Sequence, residues 1–183
     1  NTFWAGAASG GLWVTYDNAQ TWQCLTDQNE SLGISDIIIS KTYETDGTIF
    51  IATGDRDSYD NLSVGVLQST DYGNTWHTTD LTYLLKDQKH LNRLLQHPQD
   101  PLILIAATGD GVMQTTDGGA HWDEVLTDLE FIDMEFHPTQ PEIIYGSTDD
   151  GKIYRTLNGG QSWSRVYYYN QSGRTELAVS PAQ

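Results

Sequence analysis

The chain has 183 residues, of which 25 are acidic and nine basic, giving a net charge of −16. That excess of carboxylates repels phosphate backbones and anionic headgroups, which argues against a nucleic-acid or anionic-membrane partner. No run of about 18 apolar residues is present to cross a membrane as a helix, so direct membrane insertion is not expected, and a single cysteine, Cys24, excludes an internal disulfide framework. The composition fits a solvated, secreted or cell-surface protein. No export signal is visible, and with Asn1 in first place one that has been removed or lies outside this stretch is compatible with the sequence.

Residues 2–7 read as a strand around Trp4, Ala8-Ser9-Gly10-Gly11 as a tight turn, and residues 12–15 and 22–25 as the strands that follow. A polar loop covers 27–33. The aliphatic run of residues 34–40, with Ile37-Ile38-Ile39, suits a strand buried on both faces, the innermost of a blade. Residues 48–53 form a second strand, 54–61 an Asp-rich loop and 64–69 a third strand. Between 81 and 88 the spacing of Leu81, Leu84 and Leu85 predicts a short helix. Residues 91–96 are the next inner strand, closed by His97-Pro98, and 102–108, 112–115 and 122–126 complete that unit. Residues 131–136, closed by His137-Pro138, then 143–148 and 152–156, repeat the order. Residues 175–180 read as one more inner strand before Pro181.

One phrase recurs at the same place in each unit: Thr15-Tyr16-Asp17-Asn18-Ala19-Gln20-Thr21-Trp22, Ser69-Thr70-Asp71-Tyr72-Gly73-Asn74-Thr75-Trp76, Thr115-Thr116-Asp117-Gly118-Gly119-Ala120-His121-Trp122 and Thr156-Leu157-Asn158-Gly159-Gly160-Gln161-Ser162-Trp163. The shared pattern is Ser/Thr-x-Asp-x-Gly-x-x-Trp, broken by Ala19 and Asn158, and the tryptophans are 54, 46 and 41 residues apart. A β-type repeat of roughly 40 to 50 residues predicts an all-β propeller of four-stranded antiparallel blades. Each part of the phrase has a local task. The aspartate accepts from backbone N–H groups two residues on, the glycine supplies positive φ, and the tryptophan opens the outer strand and packs on the neighbouring repeat. Asp17, Asp71, Asp117 and Asn158, with Gly73, Gly119 and Gly160 and with Trp22, Trp76, Trp122 and Trp163, are therefore structural.

The phrase resembles the Asp-box, or bacterial neuraminidase repeat, found in sialidases, xyloglucanase-type hydrolases, sortilin-like ectodomains and large secreted proteins of Bacteroidota. The resemblance covers the whole chain as one segment, 1–183, with blade strands over 1–27, 34–80, 91–127, 131–169 and 175–183. It implies about four blades' worth of a larger ring whose further blades or domains belong to the same polypeptide. The alternative is a four-bladed ring in which residues 175–180 complete the first blade. It also implies a bacterial outer-surface location, in relatives often reached by type IX secretion.

In such propellers ligands meet the loop after the second strand and the loops between blades. That nominates Asp55, Asp57, Tyr59, Asp60, Asp110, Asp149, Asp150 and Tyr168 as ligand-binding candidates. Asp55, Asp57 and Asp60 carry hard oxygens at near-alternating positions and could hold calcium, or form a solvated acidic loop neutralised by Arg56. No other cofactor is expected. The Tyr167-Tyr168-Tyr169 run could stack on a sugar or peptide, or be buried in the blade by alternation. His97 and His137 recur before proline as a turn device, without zinc-ligand spacing.

The sialidase arrangement is not matched, since Arg56, Arg93, Arg155, Arg165 and Arg174 lie in no corresponding context. The stretch from Trp4 to Trp13 is closer to the xyloglucanase type, where an aspartate would precede the Gly-Gly turn. Ala8-Ser9 stands there instead. The expected function is non-catalytic binding or adhesion towards protein or glycan. The alternative is a glycoside hydrolase using Asp55, Asp110 and Asp149.

Overall fold

The computed structural model describes residues 1–56, 60–168, 170 and 173–181. It comprises two compact units, Asn1–Leu91 and Asn92–Gln183. In the first, β1 (Phe3–Ala7), β2 (Gly11–Thr15) and β3 (Gln23–Cys24) form a three-stranded antiparallel sheet. A four-stranded meander follows, made of β4 (Ile34–Ile39), β5 (Ile49–Thr53), β6 (Gly65–Ser69) and β7 (His77–Thr82). The second unit holds two more meanders. One is β8 (Leu91–Gln96, starting on the last residue of the first unit), β9 (Leu104–Thr108), β10 (Gly111–Thr115) and β11 (Asp123–Thr127). The other is β12 (Phe131–Phe136), β13 (Ile144–Thr148), β14 (Lys152–Thr156) and β15 (Ser164–Tyr168). These are the antiparallel blades of a β-propeller, in the order inner, second, third, outer strand.

The register shifts at matching points. The inner strands β4 and β12 bulge between Ile34 and Asp36 and between Phe131 and Asp133. The third strands β6, β10 and β14 shift against their outer partners after Gly65, Val112 and Ile153. A bulge sharpens local twist, so its repetition gives each sheet the same twist. The first unit's core joins Leu12, Ile34, Ile49, Ile51 and Leu67, with Trp4 and Trp76 packed against it. In the second unit Ile105, Val112, Phe131, Met134 and Ile144 form the core, with Tyr154 and Trp163 against it.

Three expectations are corrected. The aliphatic run of β4 is not buried on both faces, because only Ile34 is fully buried and the rest are half-buried. The wholly buried strands are β5 and β9, each with a strand on both edges. The helix over 81–88 contracts to a 3₁₀ turn at Leu85–Asp87, because Leu81 belongs to β7, where it is buried. An unforeseen one-turn helix, α1 (Tyr43–Asp46), joins β4 to β5 and is closed by Gly47 at φ 70°. Finally, residues 175–180, read as an inner strand, enter no ladder among the described residues. The segment is held by side chains instead. The Leu177 N–H donates to Asp133 Oδ2 at 2.7 Å, and Ser147 Oγ donates to the Thr175 carbonyl at 2.5 Å.

Candidate functional site

Antiparallel alternation puts the second-to-third loops and the inter-blade connections at one end of each unit, and the repeated phrases at the other. The phrases close as self-contained turns. At Asp17, Oδ1 accepts from the Thr15 hydroxyl (2.8 Å) and from the N–H groups of Gln20 and Thr21, while Oδ2 accepts from the Thr21 hydroxyl (2.7 Å). Asp71 repeats this with Ser69 and Thr75, and Asp117 with Thr115 and His121. The bonded N–H groups therefore lie three and four residues on, not two, because a pair of positive-φ residues (Asn18-Ala19, Tyr72-Gly73, Gly118-Gly119) turns the chain between them. The first-position hydroxyl also accepts from the N–H of Ala19, Gly73, Gly119 or Gly160. Asn158 keeps the geometry with an amide, accepting from Thr156 Oγ1 and donating to Ser162 Oγ. Hydrogen bonds to the side chains of Thr21, Thr75 and His121 lead in lowering the carboxyl pKa of Asp17, Asp71 and Asp117 to about 2. All these oxygens are engaged locally.

At the opposite end a second repeated device positions the candidate aspartates. A threonine closes each full blade's second strand and pins the start of the third. Thr53 Oγ1 donates to the Gly65 carbonyl (2.7 Å) and accepts from the Val64 N–H. Thr108 Oγ1 donates to the Gly111 carbonyl and accepts from the Asp110 and Gly111 N–H groups. Thr148 Oγ1 donates towards the Lys152 carbonyl and Asp150 Oδ1. Thr53-Gly54-Asp55, Thr108-Gly109-Asp110 and Thr148-Asp149-Asp150 are thus equivalent, and Ser9 takes the aspartate's place in the first sheet. The signal was legible as Thr-x-Asp, a pattern too short to stand out beside the longer repeated phrase.

The candidate carboxylates differ in environment. Asp55 is 6% exposed, and its N–H donates to the Asn61 carbonyl. Asp110 is exposed on a two-residue turn and Asp149 on a three-residue turn. Asp150 is ion-paired with Lys152, whose hydrogen bond holds its carboxyl below the ordinary range. Asp60 is exposed beside a cleft of about 350 Å³ lined by Glu30, Ser31, Asn61, Leu62 and Leu85. Asp57, Tyr59 and Tyr169 lie outside the described residues. Among the described residues no three His, Cys, Asp or Glu side chains gather as a metal centre.

Tyr168 is not packed into the blade as alternation suggested. It is 49% exposed on β15, its hydroxyl donates to Asn170 Oδ1 (2.9 Å), and the Arg165 guanidinium lies 5.8 Å from its ring centre. Every residue of β15 is exposed, since an outer strand is covered only by whatever packs on its sheet. The turns after the inner strands do use histidine as an acceptor. His97 Nδ1 receives the N–H groups of Gln99 and Asp100, and His137 Nδ1 that of Thr139. Sequence reasoning missed Asp133, 2% exposed on an inner strand, with Oδ1 3.3 Å from Arg93 Nε. A lone carboxylate inside the apolar run Phe-Ile-Asp-Met was the available signal.

No protein-family profile matches the chain. A xyloglucanase from Paenibacillus sp. is 28% identical over 64% of this chain and 15% of its own length. The GH74 xyloglucanase from Xanthomonas campestris superposes with a TM-score of 0.67 at 20% identity, covering 89% of this chain and 28% of its own. An extracellular domain from B. thetaiotaomicron gives 0.68 at 16% identity, covering 96% and 22%. The chain thus spans 15% of the curated relative and less than a third of either solved structure. The structural likenesses agree with a partial β-propeller.

Proposed function

We propose that this chain is a glycan-binding stretch of a secreted or cell-surface propeller of the Asp-box type, which recognises a xyloglucan-like polysaccharide without supplying a catalytic pair of its own. The observation that carries the reading is the 28% identity to a xyloglucanase, combined with Ser9 before the Gly10-Gly11 turn, where the resemblance implies an aspartate. Binding falls to the second-to-third loop end of each unit, where carboxylates can accept from sugar hydroxyls. Asp55 and Asp60 serve in the first unit. Asp110, Asp149 and Asp150 serve in the second, joined by the exposed ring of Tyr168. The acidic surface and the likeness to an extracellular domain support a location outside the cell. Affinity electrophoresis in gels cast with xyloglucan, against dextran as control, tests this together with an assay for new reducing ends. Retardation by xyloglucan alone and no new reducing ends are expected. Equal mobility in both gels would remove the glycan reading and leave a protein ligand as the target.

A hydrolytic reading is favoured by the same relative and by the repetition of the aspartate loop. It requires turnover that Asp55→Asn, Asp110→Asn or Asp149→Asn abolishes. Turnover that persists in all three would dismiss these carboxylates. A calcium ion held by Asp55, Asp57 and Asp60 would raise the melting temperature with calcium over that with chelator.

A further inference from the structure

Asn158 stands where the other three phrases carry aspartate, and it is the only asparagine of the chain that a glycine follows. That pair is chemically labile, because a glycine has no side chain to shield its amide nitrogen from the preceding carboxamide. Asn158 is exposed, Gly159 has φ 68°, and a Cβ at position 159 would meet nothing within 4 Å. The reaction needs only water. The Gly159 nitrogen gives its proton to solvent and bonds to Asn158 Cγ, the Cγ–Nδ2 bond breaks, and ammonia leaves a cyclic imide. Water then opens the ring. Cleavage at Cγ returns the original backbone with an aspartate side chain. Cleavage at the main-chain carbonyl reroutes the backbone through Cγ as isoaspartate.

The folded turn keeps the two reacting groups apart. The Gly159 N–H donates to the Glu142 carbonyl at 2.8 Å, and the Gly159 carbonyl accepts from Gln114 Nε2 at 2.7 Å. The carboxamide is held as well. Its Oδ1 accepts from Thr156 Oγ1 (2.8 Å) and from the Ser162 N–H (3.0 Å), and its Nδ2 donates to Ser162 Oγ (2.9 Å). Attack therefore waits for a local opening that frees both groups.

One product fits the turn on reclosing. A carboxylate at position 158 meets the Thr156 hydroxyl and the Ser162 N–H as the amide does, and the Ser162 hydroxyl turns to donate to it. Thr21 and Thr75 already donate in that way to Asp17 Oδ2 and Asp71 Oδ2, each at 2.7 Å. Isoaspartate lengthens the backbone by one atom and shortens the side chain, so it cannot repeat this pattern.

We propose that Asn158 is a spontaneous deamidation site whose rate is set by opening of the fourth phrase, and that its aspartyl product restores the turn of the other three. The site is independent of the ligand proposed above.

Peptide mass mapping of the full chain, aged in mildly alkaline buffer with and without urea, tests this. In urea, position 158 should convert from amide to acid ahead of every other asparagine. In the folded chain it should convert at least about tenfold more slowly, since a bonded amide reacts only through opening. Ser162 is exposed, so Ser162→Ala should leave the fold intact. It should speed conversion in the folded chain and leave the rate in urea unchanged. Asn158→Asp should keep the urea midpoint of the native chain at neutral pH. Equal rates with and without urea, or another asparagine converting first in urea, would overturn the proposal. A lowered midpoint in Asn158→Asp would overturn its second half.

Discussion

Ala19 occupies the glycine position of the first phrase at φ 68°, a left-handed conformation that a Cβ disfavours. Ala19→Gly should therefore raise stability, by up to about 1 kcal/mol once the added freedom of the unfolded chain is subtracted. A lower urea midpoint in the variant would refute this. Asp17, Asp71 and Asp117 make a second case. Their folded pKa of about 2 lies below the ordinary value of 3.8, so the stabilisation is fully present above about pH 4 and is lost as pH falls through the folded value. Between pH 4 and 2 the melting temperature of the native chain should fall more steeply than that of the variant combining Asp17→Asn, Asp71→Asn and Asp117→Asn. Asn158 already shows that an amide closes the turn. Parallel curves would mean these carboxylates contribute nothing to acid sensitivity.

Within a blade the third strand begins where backbone meets backbone. A Cβ on Gly65 would lie 2.0 Å from the Leu81 carbonyl oxygen, and one on Gly111 1.9 Å from that of Leu126, with φ at 101° and 154°. Neither neighbour is a flexible side-chain tip, so Gly65→Ala and Gly111→Ala should each cost about 3 kcal/mol or more. Gly159 also has positive φ, but a Cβ there would meet nothing within 4 Å, so Gly159→Ala should cost only about 1 kcal/mol. Denaturant titration of the three variants checks the ranking, and equal losses would show that φ alone matters. The same junction holds the threonine staples at Thr53 and Thr108, from which Asp55 and Asp110 leave the sheet.

For the whole chain the dominant long-range force is self-repulsion from a net charge of −16. Raising ionic strength from about 0.01 M to about 1 M shortens the Debye length from roughly 30 Å to 3 Å. The melting temperature should rise with it, because repulsion spread over the surface is screened while the phrase hydrogen bonds are short and local. A fall with added sodium chloride would mean that the ion pairs Arg93–Glu135 and Asp150–Lys152 outweigh the repulsion. Val166, Tyr167 and Tyr168 leave large apolar side chains exposed along the outer strand β15.

Local sequence was enough to specify the blades. Strand order, the phrase at each third-to-outer turn and the bounds of β8, β12 and β14 follow from alternation and turn chemistry, which act over a few residues. It also assigned the candidate aspartates to the loops that follow second strands, because a loop's place in a meander is set by strand count. Burial and partnership were settled only by long-range packing. Ile37 and Ile39 are half-buried because they line a groove of about 500 Å³, and Tyr168 is exposed because nothing among the described residues covers its strand. Among the described residues, 175–180 enter no ladder, since pairing needs a second strand alongside. Both properties depend on neighbours distant in the chain, and no local pattern encodes whether those neighbours are present.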